Sequence, residues 1–173
     1  WIHVFDRGGD NVEAMCRTQQ SHCDWIIRAA KLNRKGIDEH GQRRYLAEVT
    51  VLGSYDLHLR SRPGIAARTA HLQVSVTRVT FPKPQHRSPW LRQCQLAQLT
   101  MNVVIVQEVN PPPGVTPIRW VLLTSLPVET FEDAWQVIED YENRWPVEEY
   151  HKVLKTGCSV EIHSLSPPER LEP

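Results

Sequence analysis

The sequence predicts a mixed α/β fold, and three observations lead there. A short apolar run ending in an acid, "WIHVFD", is followed by a turn, a helix-like stretch and a second apolar run, "DWIIRAA". The middle of the chain alternates apolar and polar residues, as half-buried antiparallel strands do. Aromatic and aliphatic residues then recur at spacings of three and four in "PVETFEDAWQVIEDYENRW", the period of an amphipathic helix.

Taken in order, "WIHVF" is made of strand formers and predicts a first strand ending at Asp6. "RGGDN" supplies a turn, and Asp10 or Asn11 can cap a helix through about Gln20. A second strand is predicted from Asp24 to Ala30. "RRYLAEVTVLG", "AHLQVSVTRVTF", "LTMNVVIVQEV" and "IRWVLLTS" follow as further strands, with "NPPPGVTP" as a hard break among them. No stretch of helical period interrupts this β-rich region. In the returning helix Phe131, Trp135, Ile138, Tyr141 and Trp145 form one stripe, and core packing is the expected use of the first three. Pro146 must kink that helix or sit in the first turn of a new one, and Gly157 can end it. The chain thus divides into 1–30, a β-rich stretch 31–126, and 127–173.

The chain has 173 residues, enough for one domain with a proper core. It opens at Trp1 and ends in "SLSPPERLEP", so it is expected to be a piece of a longer protein. No apolar run approaches the roughly 20 residues that span a bilayer, so a soluble, cytoplasmic protein with no membrane partner is expected. Cys16, Cys23, Cys94 and Cys158 form no C-x-x-C pair, which argues against a zinc site or a disulfide framework and suits a reducing cytosol. The zero net charge is unevenly spread. Leu57 to Gln107 contains no acid, yet carries Arg60, Arg62, Arg68, Arg78, Lys83, Arg87 and Arg92, whereas Glu108 to Tyr150 is mostly acidic. A one-signed stretch can form a phosphate-facing surface, and folding can equally scatter it over ordinary solvent faces.

Near the C-terminus stands "YENRWPVEEYHKVLK". At about 100° per residue, Tyr141, Arg144, Glu148, Lys152 and Lys155 fall within an arc of about 80°, provided that Pro146 does not rotate one half against the other. Glu148 and Lys152 at i,i+4 can be a solvated ion pair. Glu148 can instead be a hard oxygen ligand for Mg²⁺ or Mn²⁺, with arginine and lysine gripping the phosphates of the metal's substrate. One glutamate alone cannot make a two-metal site.

The series Tyr141, Arg144, Glu148, Lys155 resembles the Tyr–Arg–Glu–Lys signature of the insertion-sequence-four family of bacterial transposases. "VFDRGGDN" is similar to the segment holding that family's second catalytic aspartate, and "DWIIRAAK" to the strand after it. "EVNPPPGVTPIRWVLLTSLPVET" is similar to the run entering the catalytic helix, and "RWPVEEYHKVLKTG" continues the likeness. The resemblance implies a partial ribonuclease-H-like catalytic core with a β-sheet insertion between the second aspartate and the glutamate. It implies Asp6 and Glu148 as ligands of two Mg²⁺ or Mn²⁺ ions that drive in-line phosphoryl displacement. The first aspartate would lie before Trp1. Tyr141, Arg144, Lys152 and Lys155 would contact DNA, Arg28 would stand beside the active site, and Trp120 would stack on a flipped-out base. A strand-edge charge is the ordinary alternative for Arg28, core packing for Trp120, and turn chemistry for Asp6.

Two departures stand out. Pro146 replaces an arginine, and "DRGGD" is richer in glycine than the family's turn, which predicts a looser loop after Asp6. The implied activity is metal-dependent cleavage at transposon ends and strand transfer into target DNA, by a homodimer whose dimerisation region would follow Pro173. The alternative is a catalytically incomplete, DNA-binding remnant or regulatory fragment.

Overall fold

The opening apolar run forms strand β1 (Ile2–Phe5), and "DWIIR" forms β2 (Asp24–Arg28), parallel to it in the register Phe5 to Ile27. Helix α1 (Val12–Gln20) makes the crossover. Of the two cap candidates Asn11 takes the role, its side-chain oxygen accepting from Ala14 N at 2.7 Å. The computed structural model describes residues 1–32, 34–38, 40–45, 49–61, 63–64, 66–82, 84, 88–94, 98–146, 150 and 153.

The β-rich stretch supplies β3 (Lys35–Ile37), β4 (Arg43–Tyr45), β5 (Thr50–Leu59), β6 (Arg68–Pro82), β7 (Gln98–Glu108) and β8 (Arg119–Thr124). The result is a mixed α/β fold. Seven strands run in the order β1-β2-β8-β7-β6-β3-β4, and β5 also pairs with β6. β6 is long enough to hold β7 along one edge and to share its other edge between β5 and β3. Among the described residues only β1 and β2 are parallel; the other pairs are antiparallel, in keeping with the alternating pattern.

Each face of the sheet has its own cover. Met15 of α1 joins Trp25, Ile27, Val79, Phe81, Met101, Ile105 and Leu123 in one buried cluster. The same side carries a helix that the pattern did not predict, α2 (Pro89–Gln93). Ser88 caps it and Pro89 opens it, a start signal set in a stretch too short to show a helical period. The Arg17 guanidinium of α1 lies 4.4 Å from the Trp90 ring centre and ties the two helices together.

Helix α3 (Phe131–Glu142) begins on the opposite face. Its entry is a reciprocal cap: Asp133 N donates to Thr130 Oγ1, while Asp133 Oδ2 accepts from the amides of Glu129 and Thr130. Those donors, the Glu129 amide first, hold the Asp133 carboxyl below its usual range. Phe131 lies where a side chain on Gly53 would project, since a Cβ there would stand 2.5 Å from its ring. Gly53 also follows a register shift in β5, so one small residue serves both a bulge and a helix contact. Phe131 and Trp135 are half-buried beside Tyr55, and Ile138 is fully buried.

The chain forms two compact units, Trp1–Ile138 and Glu139–Pro173, with the boundary inside α3. Among the described residues, no helix is long and apolar enough to cross a membrane.

Candidate functional site

Asp6 follows the last residue of β1, and Arg28 is the last residue of β2. Because Phe5 pairs with Ile27, these two are the next positions along adjacent parallel strands. The C-terminal ends of parallel strands are where α/β sheets most often present functional groups. Asp6 is exposed, and its Oδ1 accepts from Gly8 N at 2.8 Å in a tight turn that Gly9 N closes by donating to Asp6 O at 3.1 Å. Turn chemistry therefore uses one carboxylate oxygen. No cationic side chain among the described residues pairs with the other, so one hard, anionic donor remains for a divalent cation.

The two glycines do not loosen this turn. A Cβ on Gly9 would stand 2.4 Å from Phe5 Cβ, and one on Gly8 would stand 3.0 Å from Asp6 Oδ1. They are small because the loop packs closely over the strand end.

Arg28 is half-buried and makes no ion pair among the described residues. It pairs with Leu122 of β8, and Trp120 stands two residues before Leu122. Alternation along the strand then directs Arg28 and half-buried Trp120 to the same face as diagonal neighbours. This is the face on which α3 begins.

The residue that sequence reasoning missed is Asp10. Its side chain is wholly buried, with Oδ2 accepting from the amides of Ala30 at 2.8 Å and Lys31 at 3.3 Å. Arg34 Nη1 donates to its Oδ1 at 2.7 Å, and the same guanidinium lies 4.9 Å from the centre of the Phe81 ring. A cavity of about 510 Å³ opens beside the pair, with Lys31, Phe81 and Leu91 in its wall. The available signal was the doubled cap candidate Asp10–Asn11: one helix start needs one cap, and with Asn11 in that role the Asp10 carboxylate was left for a different partner.

In the second unit, Tyr141 is buried and Arg144 lies 5.7 Å from the centre of its ring and 5.6 Å from that of Trp145. α3 ends at Glu142, Asn143 is a turn, and helical geometry resumes at Arg144, Trp145 and Pro146. Pro146 therefore occupies the first turn of a new helical stretch, where its missing amide costs no hydrogen bond. A projection that treats Tyr141 to Lys155 as one uninterrupted helix does not describe this geometry. Burial first, and Glu139 second, raise the Glu142 carboxyl above its usual range. Glu148, Lys152 and Lys155 lie outside the described residues.

Among the described residues the basic run does not make one surface. Arg68 forms a two-pronged pair with buried Glu108, which also accepts from Ile118 N at 3.0 Å. Exposed Arg78 is in register with Asn102 and so shares the α3 face, whereas exposed Arg92 sits on α2 against the other face. Arg60 is exposed, while Arg62, Lys83 and Arg87 lie outside the described residues. Among the described residues no three His, Cys, Asp or Glu side chains cluster as a metal site, and Asp6 supplies the one carboxylate of the expected set. No family model matches the chain.

Proposed function

We propose that the chain is part of a bacterial DNA transposase with a ribonuclease-H-like core, cutting at transposon ends and joining them to target DNA with Mg²⁺ or Mn²⁺. The observation that carries this reading is the pair of adjacent strand ends at Asp6 and Arg28, reached through a β–α–β crossover. The long antiparallel excursion from β3 to β8 and a closing helix that leads toward Glu148 support it by their order. In this reading Asp6 and Glu148 would hold the metal ions. A divalent ion bound there would supply Lewis-acid activation of the attacking oxygen and stabilisation of the leaving one. Arg28, Arg144, Lys152 and Lys155 balance phosphate charge and Trp120 stacks on an extruded base, whereas Tyr141 is buried with the Arg144 guanidinium over its ring and so acts through Arg144 rather than on DNA directly. Transposon-end DNA and target DNA are the partners, and the working form is a homodimer.

The test uses the full-length protein with a labelled transposon end. Asp6→Asn and Glu148→Gln should each keep DNA binding and lower Mg²⁺-dependent nicking by at least about a hundredfold, as expected when several kcal/mol of transition-state stabilisation is removed. Unchanged nicking by either variant takes that residue out of the mechanism. Wild-type protein that binds the end without nicking it would favour the regulatory remnant.

A further inference from the structure

We infer that Asp10 is a positioning residue that fixes the aim of the Asp6 carboxylate; the inference rests on the metal-binding reading of Asp6. Asp10 follows Asp6 by four residues and is coupled to it through a closed turn. Gly9 N donates to Asp6 O, and Asp10 N donates to Arg7 O at 3.3 Å. Beyond the turn, the buried Asp10 carboxylate grips the chain just after Arg28 through Ala30 N and Lys31 N, and grips Arg34 as well. One side chain thus ties the loop leaving β1 to the loop leaving β2, across the two strand ends that present Asp6 and Arg28.

The glycines make this coupling stiff. Gly9 rests against Phe5 and Gly8 against the Asp6 carboxylate, so a shift at Asp10 passes to Asp6 through close contacts rather than through slack chain. Arg34 is held in turn against Phe81 of the main core cluster, which anchors the clamp to the sheet. Groups that orient a metal ligand from behind typically carry about ten- to a hundredfold of metal affinity or activity.

The experiment compares full-length wild type, Asp10→Asn, Arg34→Gln and Asp6→Asn. In metal-free protein, Asp10→Asn should speed amide hydrogen exchange at Ala30 and Lys31, and also at Gly8 and Gly9. A purely local structural role would leave Gly8 and Gly9 unchanged. In cleavage assays the half-saturating Mg²⁺ concentration should rise at least about tenfold, with DNA affinity retained. Arg34→Gln removes one prong and should move both readings in the same direction by a smaller factor, so the inference stays testable if Asp10→Asn fails to fold. Wild-type exchange at Gly8 and Gly9, or an unchanged metal requirement, overturns the inference. If Asp6→Asn still nicks DNA, the reading beneath it falls as well; if only the Asp10 and Arg34 variants behave as wild type, the clamp alone is wrong.

Discussion

Two buried carboxylates serve different regions by the same chemistry. Asp10 accepts from two backbone amides and Arg34, and Glu108 accepts from one backbone amide and Arg68. Glu108 closes the proline-rich loop between β7 and β8 and fastens it to β6, far along the chain from any proposed metal ligand. Asp10 joins two loops at the strand ends where Asp6 and Arg28 stand. The lesson is that burial and pairing alone do not mark a functional group; what the pair holds in place decides.

The largest stability effect should come from Arg68→Ala, which strands the Glu108 carboxylate in a buried site. Melting should fall by on the order of 10 °C, while cleavage by the full-length protein below that temperature is preserved. Arg68 above all, with the Ile118 amide second, holds the Glu108 carboxyl below its usual range. A depressed folded value contributes stability above the unfolded value of about 4.3 that is lost as pH falls through the lower, folded value. Glu108→Gln should therefore flatten the acid limb of the stability curve, as checked by urea unfolding between about pH 2 and 7. An unchanged limb would assign acid sensitivity to other carboxyls, Asp133 among them.

Gly53→Ala comes next, at about 1–3 kcal/mol, because the new methyl must displace the Phe131 ring. Denaturant unfolding checks it, and a neutral result would mean that the start of α3 can shift without loss. Asp10→Asn retains one acceptor oxygen and should cost about 1–2 kcal/mol, with the change in metal requirement as its distinctive mark. Equal cleavage phenotypes for Asp10→Asn and Glu108→Gln would erase the contrast between the regions. Arg17→Ala is the smallest, under about 1 kcal/mol, since its contact with Trp90 lies near the surface.

Strand pattern was readable in the long strands and not in the three-residue strand β3, which is too short to show an alternation. β6 and β7 alternate or run apolar over many residues, and both appear close to their expected limits. α2 was not readable, because five residues are too few for a period. The strand end at Asp6 was legible in the apolar run before it, whereas the pattern extended the second strand to Ala30 and so did not mark Arg28 as its last residue. The Asp10–Arg34 clamp was hidden because it depends on two loops meeting, which neither periodicity nor spacing encodes. The interruption before Pro146 was legible, because a proline must kink a helix or open a new one; its place at Asn143 was not, because the apolar stripe runs on from Tyr141 to Trp145 and Asn143 N still donates to Glu139 O.

The strand order has a further consequence. The chain departs from β2 and returns in β8, the strand beside it, with Ala29 N donating to Val121 O at 2.8 Å where the outgoing and incoming segments meet. Everything between is a detour that leaves and re-enters through a single gate. Residues inserted between β5 and β6 would enlarge the detour without moving the gate, and should leave the pairing of β1, β2 and β8 unchanged.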